Sequence, residues 1–255
     1  MPAPANPLKA VLAQPGPPLL GLWLSLASDG AAEALAGAGF DFVVVDGEHA
    51  PNHVDSARRQ LTALQAFGAK AIMARPLVTE AAPIKQLMDL GFQSLILPMV
   101  DDADQARAAA RAMRYPPHGI RGVAGGSRAT AYGRHADYLT TADAQAFCMV
   151  QIESRTALDN IEAIAAIEGV DALFVGPADL TASCGLLGRI DSAEGDALVR
   201  EAIERIAATG KPAATLAFHP EVARRYLSWG ARMVVVTSDA ALLTRGAARL
   251  LADLR

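Results

Sequence analysis

The chain has 255 residues, 52% hydrophobic and 20% charged, which is enough apolar material for one large core and too much for a disordered chain. Its net charge of −4 and pI of about 5.7 argue against a nucleic-acid backbone as partner. Two cysteines without CxxC spacing, Cys148 and Cys184, read as small buried thiols in a reducing compartment, and a soluble cytoplasmic protein is expected.

The first 19 residues have no basic start, and prolines break their apolar stretch, so neither a signal peptide nor a membrane anchor is expected there. They are read as an N-terminal extension to a single domain spanning 20–255. Short apolar or β-branched runs then follow one another at 21–26, 42–46, 71–76, 94–100, 148–153, 172–177, 212–218 and 233–239. Most are followed by an Ala-, Leu- and Arg-rich stretch of helical spacing. Gly39, Gly91, Gly169, Gly210 and Gly230 close such stretches just before the next run, the punctuation of βα units. Nearly continuous apolar strands predict a parallel sheet covered on both faces. Eight βα pairs in this length predict an α/β fold of the (β/α)8, or TIM, barrel type; no Gly-rich phosphate turn follows the first strand to suggest an open doubly wound sheet. Two segments interrupt the rhythm, 114–147 and 181–192. The second is expected to follow strand six directly on the catalytic face, whereas the first would have to fold back along the barrel to reach it.

Polar residues gather where the strands end: Asp46, Glu48 and His49 after strand two, Arg75 on strand three, Gln151 and Glu153 on strand five, Asp179 after strand six, and Ser238 and Asp239 on strand eight. In a parallel barrel these share one rim. Glu153 and Asp179, two hard carboxylates on adjacent strands, suit Mg2+ or Mn2+. Each also has a plain reading as a helix cap. Arg75 ends an apolar strand, where its fork suits carboxylate or enolate oxygens; the alternative is a structural ion pair with Asp46 or Glu48. His49, on a loop after a strand, is placed as a base. The four lysines, Lys9, Lys70, Lys85 and Lys211, all fall away from the rim, so a Schiff-base mechanism is not expected.

The stretches "GLWLSLAS", "AGAGFDFVVVDGEHAPN", "ARP", "IKQLMDLGFQSLILPMV", "RYPPHGIRG", "VQIESRTALDNI" and "IEGVDALFVGPADL" together resemble the HpcH/HpaI aldolase family of class II, metal-dependent pyruvate aldolases. The resemblance runs from about residue 20 to the C-terminus. It implies a reversible cleavage of a 4-hydroxy-2-oxo acid into pyruvate and an aldehyde, with a divalent cation (Mg2+, Mn2+ or Co2+) on Glu153 and Asp179. It implies further that Arg75 stabilises the pyruvate enolate, that His49 is the base, and that Asp46 orients its loop. Gln151, Gly176, Pro177, Ala178 and Asp179 would line the pyruvate end. Asp89 matches a residue that raises the basicity of the histidine. It lies near a helix end on the wrong face for its own site, so it would have to act across a subunit contact.

The resemblance also implies a homo-oligomer, trimer or hexamer, with the last helix packed on a neighbouring subunit. Leu242, Leu243, Leu250, Leu251 and Leu254 could equally cover the barrel's own strands. Two other functions stay open. A CoA-thioester lyase of the citrate-lyase β-subunit type would want a basic groove, which Arg121, Arg128 and Arg134 could offer. A non-catalytic barrel that binds a 2-oxo acid would leave the acid, base and metal residues unexplained.

Overall fold

The computed structural model describes residues 1–255. Its strands are β1 (Leu19–Leu24), β2 (Phe42–Asp46), β3 (Ile72–Arg75), β4 (Ser94–Leu97), β5 (Phe147–Ile152), β6 (Ala172–Val175), β7 (Ala213–Leu216) and β8 (Ala231–Ser238). All pair in parallel with their chain neighbours, and β8 pairs with β1, closing the barrel. The expected strands are all present, displaced by no more than a few residues at their ends.

Strand parity sorts the side chains. Along β2, Val43 and Val45 join the large core between strands and helices, whereas Phe42 and Val44 join a smaller core inside the barrel. Asp46, two residues on, keeps the inward parity. The same count carries Met73 to Arg75 on β3, and Phe147 and Met149 to Gln151 on β5 and to Glu153 just past its end. Each inward row is therefore apolar at its start and polar where the strand ends. Helices are stopped by left-handed residues: Gly91 (φ +107°) closes Ala81–Leu90 and turns the chain into β4.

A helix the sequence reading had not marked, Pro7–Leu12, closes the floor of the barrel. Asn6 caps it by accepting from the N–H groups of Leu8 and Lys9, and its own amide donates to Ser94 Oγ at 2.9 Å. Leu8 then enters the inner core. Segment 114–147 packs near this end too: Tyr115, Ala129, Tyr138 and Ala142 form a small core with Ala3, and the Ala3 N–H donates to Thr141 Oγ1 at 2.8 Å. It does not fold back to the rim. Nor does 181–192 leave β6 directly, because the helix Pro177–Ser183 comes first.

The last helix, Asp239–Asp253, meets the barrel at β1 and β8 and then departs from it. Its five leucines are 41–77% exposed, so they do not cover the barrel's own strands. No helix is long and apolar enough to cross a membrane.

The inner core is tight at Gly21. A Cβ there would lie 2.2 Å from the Phe42 ring. Gly21→Ala is expected to lower the urea-unfolding free energy by about 1–3 kcal/mol. In Phe42→Leu, which frees ring volume, the same substitution should cost clearly less; equal costs in the two backgrounds would show that the ring is not what excludes the side chain.

Candidate active site

A cavity of about 300 Å3 opens at the C-terminal ends of the strands, lined by Trp23, Ser25, Asp46, His49, Arg75, Gln151, Gly176, Pro177, Ala178, Asp179, Leu216, Phe218, Val235 and Ser238. Nine of these are the residues the sequence placed at the rim or at the pyruvate end. Trp23, Ser25, Leu216, Phe218 and Val235 were missed; strand parity carried to the end of β1, β7 and β8 would have found most of them. No lysine lines it.

Arg75 is buried at its centre. Its Nε and Nη2 donate to the two oxygens of Asp46, each at 2.8 Å, and its guanidinium lies 4.7 Å from the Trp23 ring centroid. Nη1 lies 2.6 Å from Glu48 Oε2 and 3.4 Å from Gln151 Oε1. The structural ion pair is therefore present, and the same guanidinium faces the cavity. Asp46 also accepts from the Glu48 N–H at 3.0 Å, and its carbonyl accepts from Asn52 Nδ2 at 2.7 Å. Burial works against its charge, but Arg75 and the backbone donors of Glu48 and His49 hold its carboxyl below the usual range.

Glu153 does not cap a helix. That role belongs to Ser154, which accepts from the Ala157 N–H. Instead Glu153 accepts from Gln151 Nε2 and from the Met99 N–H, both at 2.7 Å. Met99 is left-handed (φ +54°), an uncommon backbone for its type that aims this donor. Asp179, in the first turn of Pro177–Ser183, is exposed and makes no capping hydrogen bond. Gly176 stands beside Glu153: a Cβ there would come within 2.8 Å of Glu153 Oε2. His49 is exposed, with Nε2 3.8 Å from Glu48 Oε2. A second cavity of about 320 Å3 lies behind loop 47–53, against Pro83, Gln86 and Leu87; it is lined by Glu48 and shares Arg75 with the first. The polar strand ends converge on the rim cavity and not on this second one.

Asp89 is not brought to this site. It pairs with the buried Arg121 at 2.7 Å, and Arg121 stacks on Tyr115 at 4.5 Å.

The HpcH/HpaI aldolase/citrate lyase family matches residues 19–245. The chain belongs to that family. It is 46% identical over 248 residues to a 4-hydroxy-2-oxo-heptane-1,7-dioate aldolase of Escherichia coli, covering 97% of this chain and 94% of that protein. It is 46% identical over 252 residues to a hydroxypyruvate/pyruvate aldolase of Deinococcus radiodurans, covering 98% and 90%. A crystal structure of a family protein from Burkholderia cenocepacia superposes with a TM-score of 0.96 at 40% identity, over 98% of this chain and 100% of that one.

The basic groove that a CoA-thioester lyase would want from Arg121, Arg128 and Arg134 is not formed. Arg121 is buried on Asp89, Arg128 donates to the Leu90 carbonyl and Gln65, and Arg134 donates to the Ala131 carbonyl. The residues present do fit a divalent cation. Among protein neighbours alone, burial pushes the Glu153 carboxyl up to about 7; the Met99 N–H opposes this, Glu48 and Asp179 add to it, and Arg75 opposes it. Burial raises Glu48 as well, and its buried Oε2 sits beside Arg75 without a well-aligned hydrogen bond. Crowded carboxylates of this kind are what a cation relieves. No group of three or more His, Cys, Asp and Glu side chains converges in metal-binding geometry, so a cation on Glu153 and Asp179 would complete its shell with water and substrate oxygens.

Glu153 also sets a pH dependence. Its folded pKa of about 7 lies above the ordinary 4.5, so between those values the folded state holds a proton that the unfolded chain has lost. Stability should then fall as pH rises through that window, by an amount on the order of a few kcal/mol. In EDTA, the urea midpoint of wild type should drop between pH 5 and pH 8, and that of Glu153→Gln should drop much less. Equal pH slopes in the two proteins would contradict this account.

Proposed function

We propose that the rim cavity carries out reversible aldol cleavage of a 4-hydroxy-2-oxo acid into pyruvate and an aldehyde. The chain's class is that of the class II pyruvate aldolases. The observation that supports the residue roles best is the convergence of His49, Arg75, Gln151 and Asp179 on one cavity, with Glu153 bonded to Gln151 behind it. Glu153 and Asp179 would hold a divalent cation, Mg2+, Mn2+ or Co2+, which supplies Lewis-acid stabilisation of charge on the 2-oxo acid's oxygens.

The protein's own groups do the rest. Arg75 directs two N–H groups at Asp46 and its Nη1 at Glu48 and Gln151, so of its five N–H groups one, on Nη2, remains for a substrate oxygen. Because Asp46 and Trp23 fix its plane, that charge is pre-aimed at the oxygen that becomes an enolate. His49 takes the proton of the 4-hydroxyl; the C3–C4 bond breaks, its electron pair passes into the enolate, and the aldehyde departs. Protonation at C3 then yields pyruvate. In the synthetic direction His49 removes that C3 proton. Asp46 holds the His49 loop by its bond to the Glu48 N–H. Gly176, lacking a Cβ, leaves room beside Glu153 for the acid end of the substrate, with Gln151, Pro177 and Ala178 around it.

In the same proposal the enzyme is cytoplasmic, works as a trimer or hexamer, and buries its last helix on a neighbour. Burying leucines of that size stabilises by roughly 1.5–3 kcal/mol each. Asp89, distant from His49 of its own chain, would serve a neighbour's histidine.

EDTA should abolish pyruvate formation, and Mn2+, Co2+ or Mg2+ should restore it, while borohydride added with pyruvate should leave no adduct by mass spectrometry. A trapped adduct would sink the class II reading. Replacing Leu243, Leu250, Leu251 and Leu254 by serine should yield smaller species in light scattering with reduced activity per chain. A monomeric wild type of full activity would refute the assembly.

A further inference from the structure

Loop 47–53 carries Glu48 and His49 from the end of β2 to the helix Val54–Ala66. Its two ends are pinned in different ways. At the start, the Gly47 N–H donates to the Arg75 carbonyl at 2.8 Å and the Glu48 N–H to Asp46 Oδ1 at 3.0 Å. At the far end, the side chain of Asn52 closes the loop on its own beginning. Its Nδ2 donates back to the Asp46 carbonyl at 2.7 Å and, over a longer 3.4 Å, to the Leu24 carbonyl at the end of β1. Between these ends Ala50 and Pro51 make no hydrogen bond within the protein. The loop is backed by the second cavity, which Gly47, Ala50 and Asn52 help to line, so packing alone does not hold it.

The helix that follows fixes which way round this amide sits. Gln60, fully buried, donates from Nε2 to Asn52 Oδ1 at 2.5 Å, and the Ser56 hydroxyl donates to the same oxygen at 3.0 Å. Two donors on the oxygen leave the nitrogen to face the two carbonyls. Neither helix residue depends on Asn52 alone. Ser56 Oγ also accepts from the His53 N–H at 2.9 Å, and Gln60 Nε2 also donates to the Ser56 carbonyl at 3.2 Å. A staple for the helix would not need the strand carbonyls. The bonds of Asn52 run instead to the ends of β1 and β2, the strands that bring Trp23 and Asp46 to the rim cavity.

We propose that Asn52 is a positioning residue for the aldol chemistry: by closing loop 47–53 onto Asp46 and Leu24, it holds the His49 imidazole at the rim cavity. This rests on the reading of His49 as the base. His49 is exposed, and the one carboxylate near its ring is Glu48 at 3.8 Å, so its aim is set by the backbone beneath it. A base whose backbone drifts loses proton transfer steeply, since misplacement by about 1 Å costs up to roughly a hundredfold.

The test follows exchange of the pyruvate methyl protons for deuterium by NMR, per folded full-length, metal-loaded enzyme at pH 8. Four proteins are compared: wild type, Asn52→Asp, His49→Ala and the double variant. Asn52→Asp keeps the volume and the oxygen that accepts from Ser56 and Gln60, but at this pH it is ionised and cannot donate to the carbonyls. It should slow exchange by roughly tenfold or more in the wild-type background, with the KM for pyruvate little changed. In the His49→Ala background, where the positioned group is gone, the same substitution should change exchange by less than about twofold. Equal fold losses in the two backgrounds overturn the proposal, as does wild-type exchange in Asn52→Asp. Asn52→Ala, which removes the amide without adding charge, must repeat the pattern; a loss confined to Asn52→Asp traces to the new charge and overturns it too. If neither variant folds, Asn52 serves the fold and the proposal falls. Wild-type exchange in His49→Ala overturns instead the reading of His49 as the base.

Discussion

Arg75 brings a full positive charge into the mouth of the barrel, where almost no water reaches it, and the rest of the rim is arranged around that charge. A buried guanidinium is tolerated only when its donors are matched. Asp46 matches two of them in a bidentate pair, Trp23 covers the face, and Glu48 and Gln151 approach the remaining nitrogen. Each partner then constrains something further. Asp46 anchors the loop that carries His49, and Gln151 passes the order on to Glu153, which the Met99 N–H holds from the other side. Removing one side of such a pair costs about 3–5 kcal/mol, well above the ~1 kcal/mol of an ordinary hydrogen bond. The relay from β1 to β5 therefore depends on this pair more than on any single bond along it.

The two ends of the chain meet the barrel in opposite ways. The first helix buries Leu8 in the inner core and seals the floor, so the cavity opens at the other end. The last helix hooks onto the rim through Asp239 and then carries its leucines outward. A helix whose apolar face is left in water gains little from folding alone, since most helical stability comes from the surface it packs against. Its attachment at Ser25 and Leu26 joins whatever covers those leucines to the walls of the cavity.

Much of the rim was legible before any coordinates. Short apolar runs closed by glycines specify parallel βα units, and in a parallel barrel every strand ends on the same face; Asp46, Arg75, Gln151, Glu153 and Asp179 could therefore be assigned to one rim from position alone. The plain alternatives could not be settled that way. Glu153 could cap the helix that follows it, and only the side-chain geometry shows that Ser154 does so instead. Arg75 could pair with an acid or face a substrate, and the structure shows that it does both. Arg121, Arg128 and Arg134 look alike as a string of arginines, yet one is buried on Asp89 and the others bond to nearby backbone and side-chain groups.

By itself the sequence determined the barrel and the face that carries the chemistry, because periodicity and strand direction are local properties that survive without knowledge of contacts. Tertiary structure decided what depends on distant segments meeting. The N-terminal helix became a floor because Asn6 finds Ser94, 88 residues away. Segment 114–147 packed on the N-terminal residues because Tyr115 and Tyr138 bury there with Ala3. The last helix left the barrel, whereas the periodicity of its leucines was equally compatible with staying. Glu153 became a carboxyl that resists ionisation because burial and two neighbouring acids surround it, and no spacing along the chain encodes that.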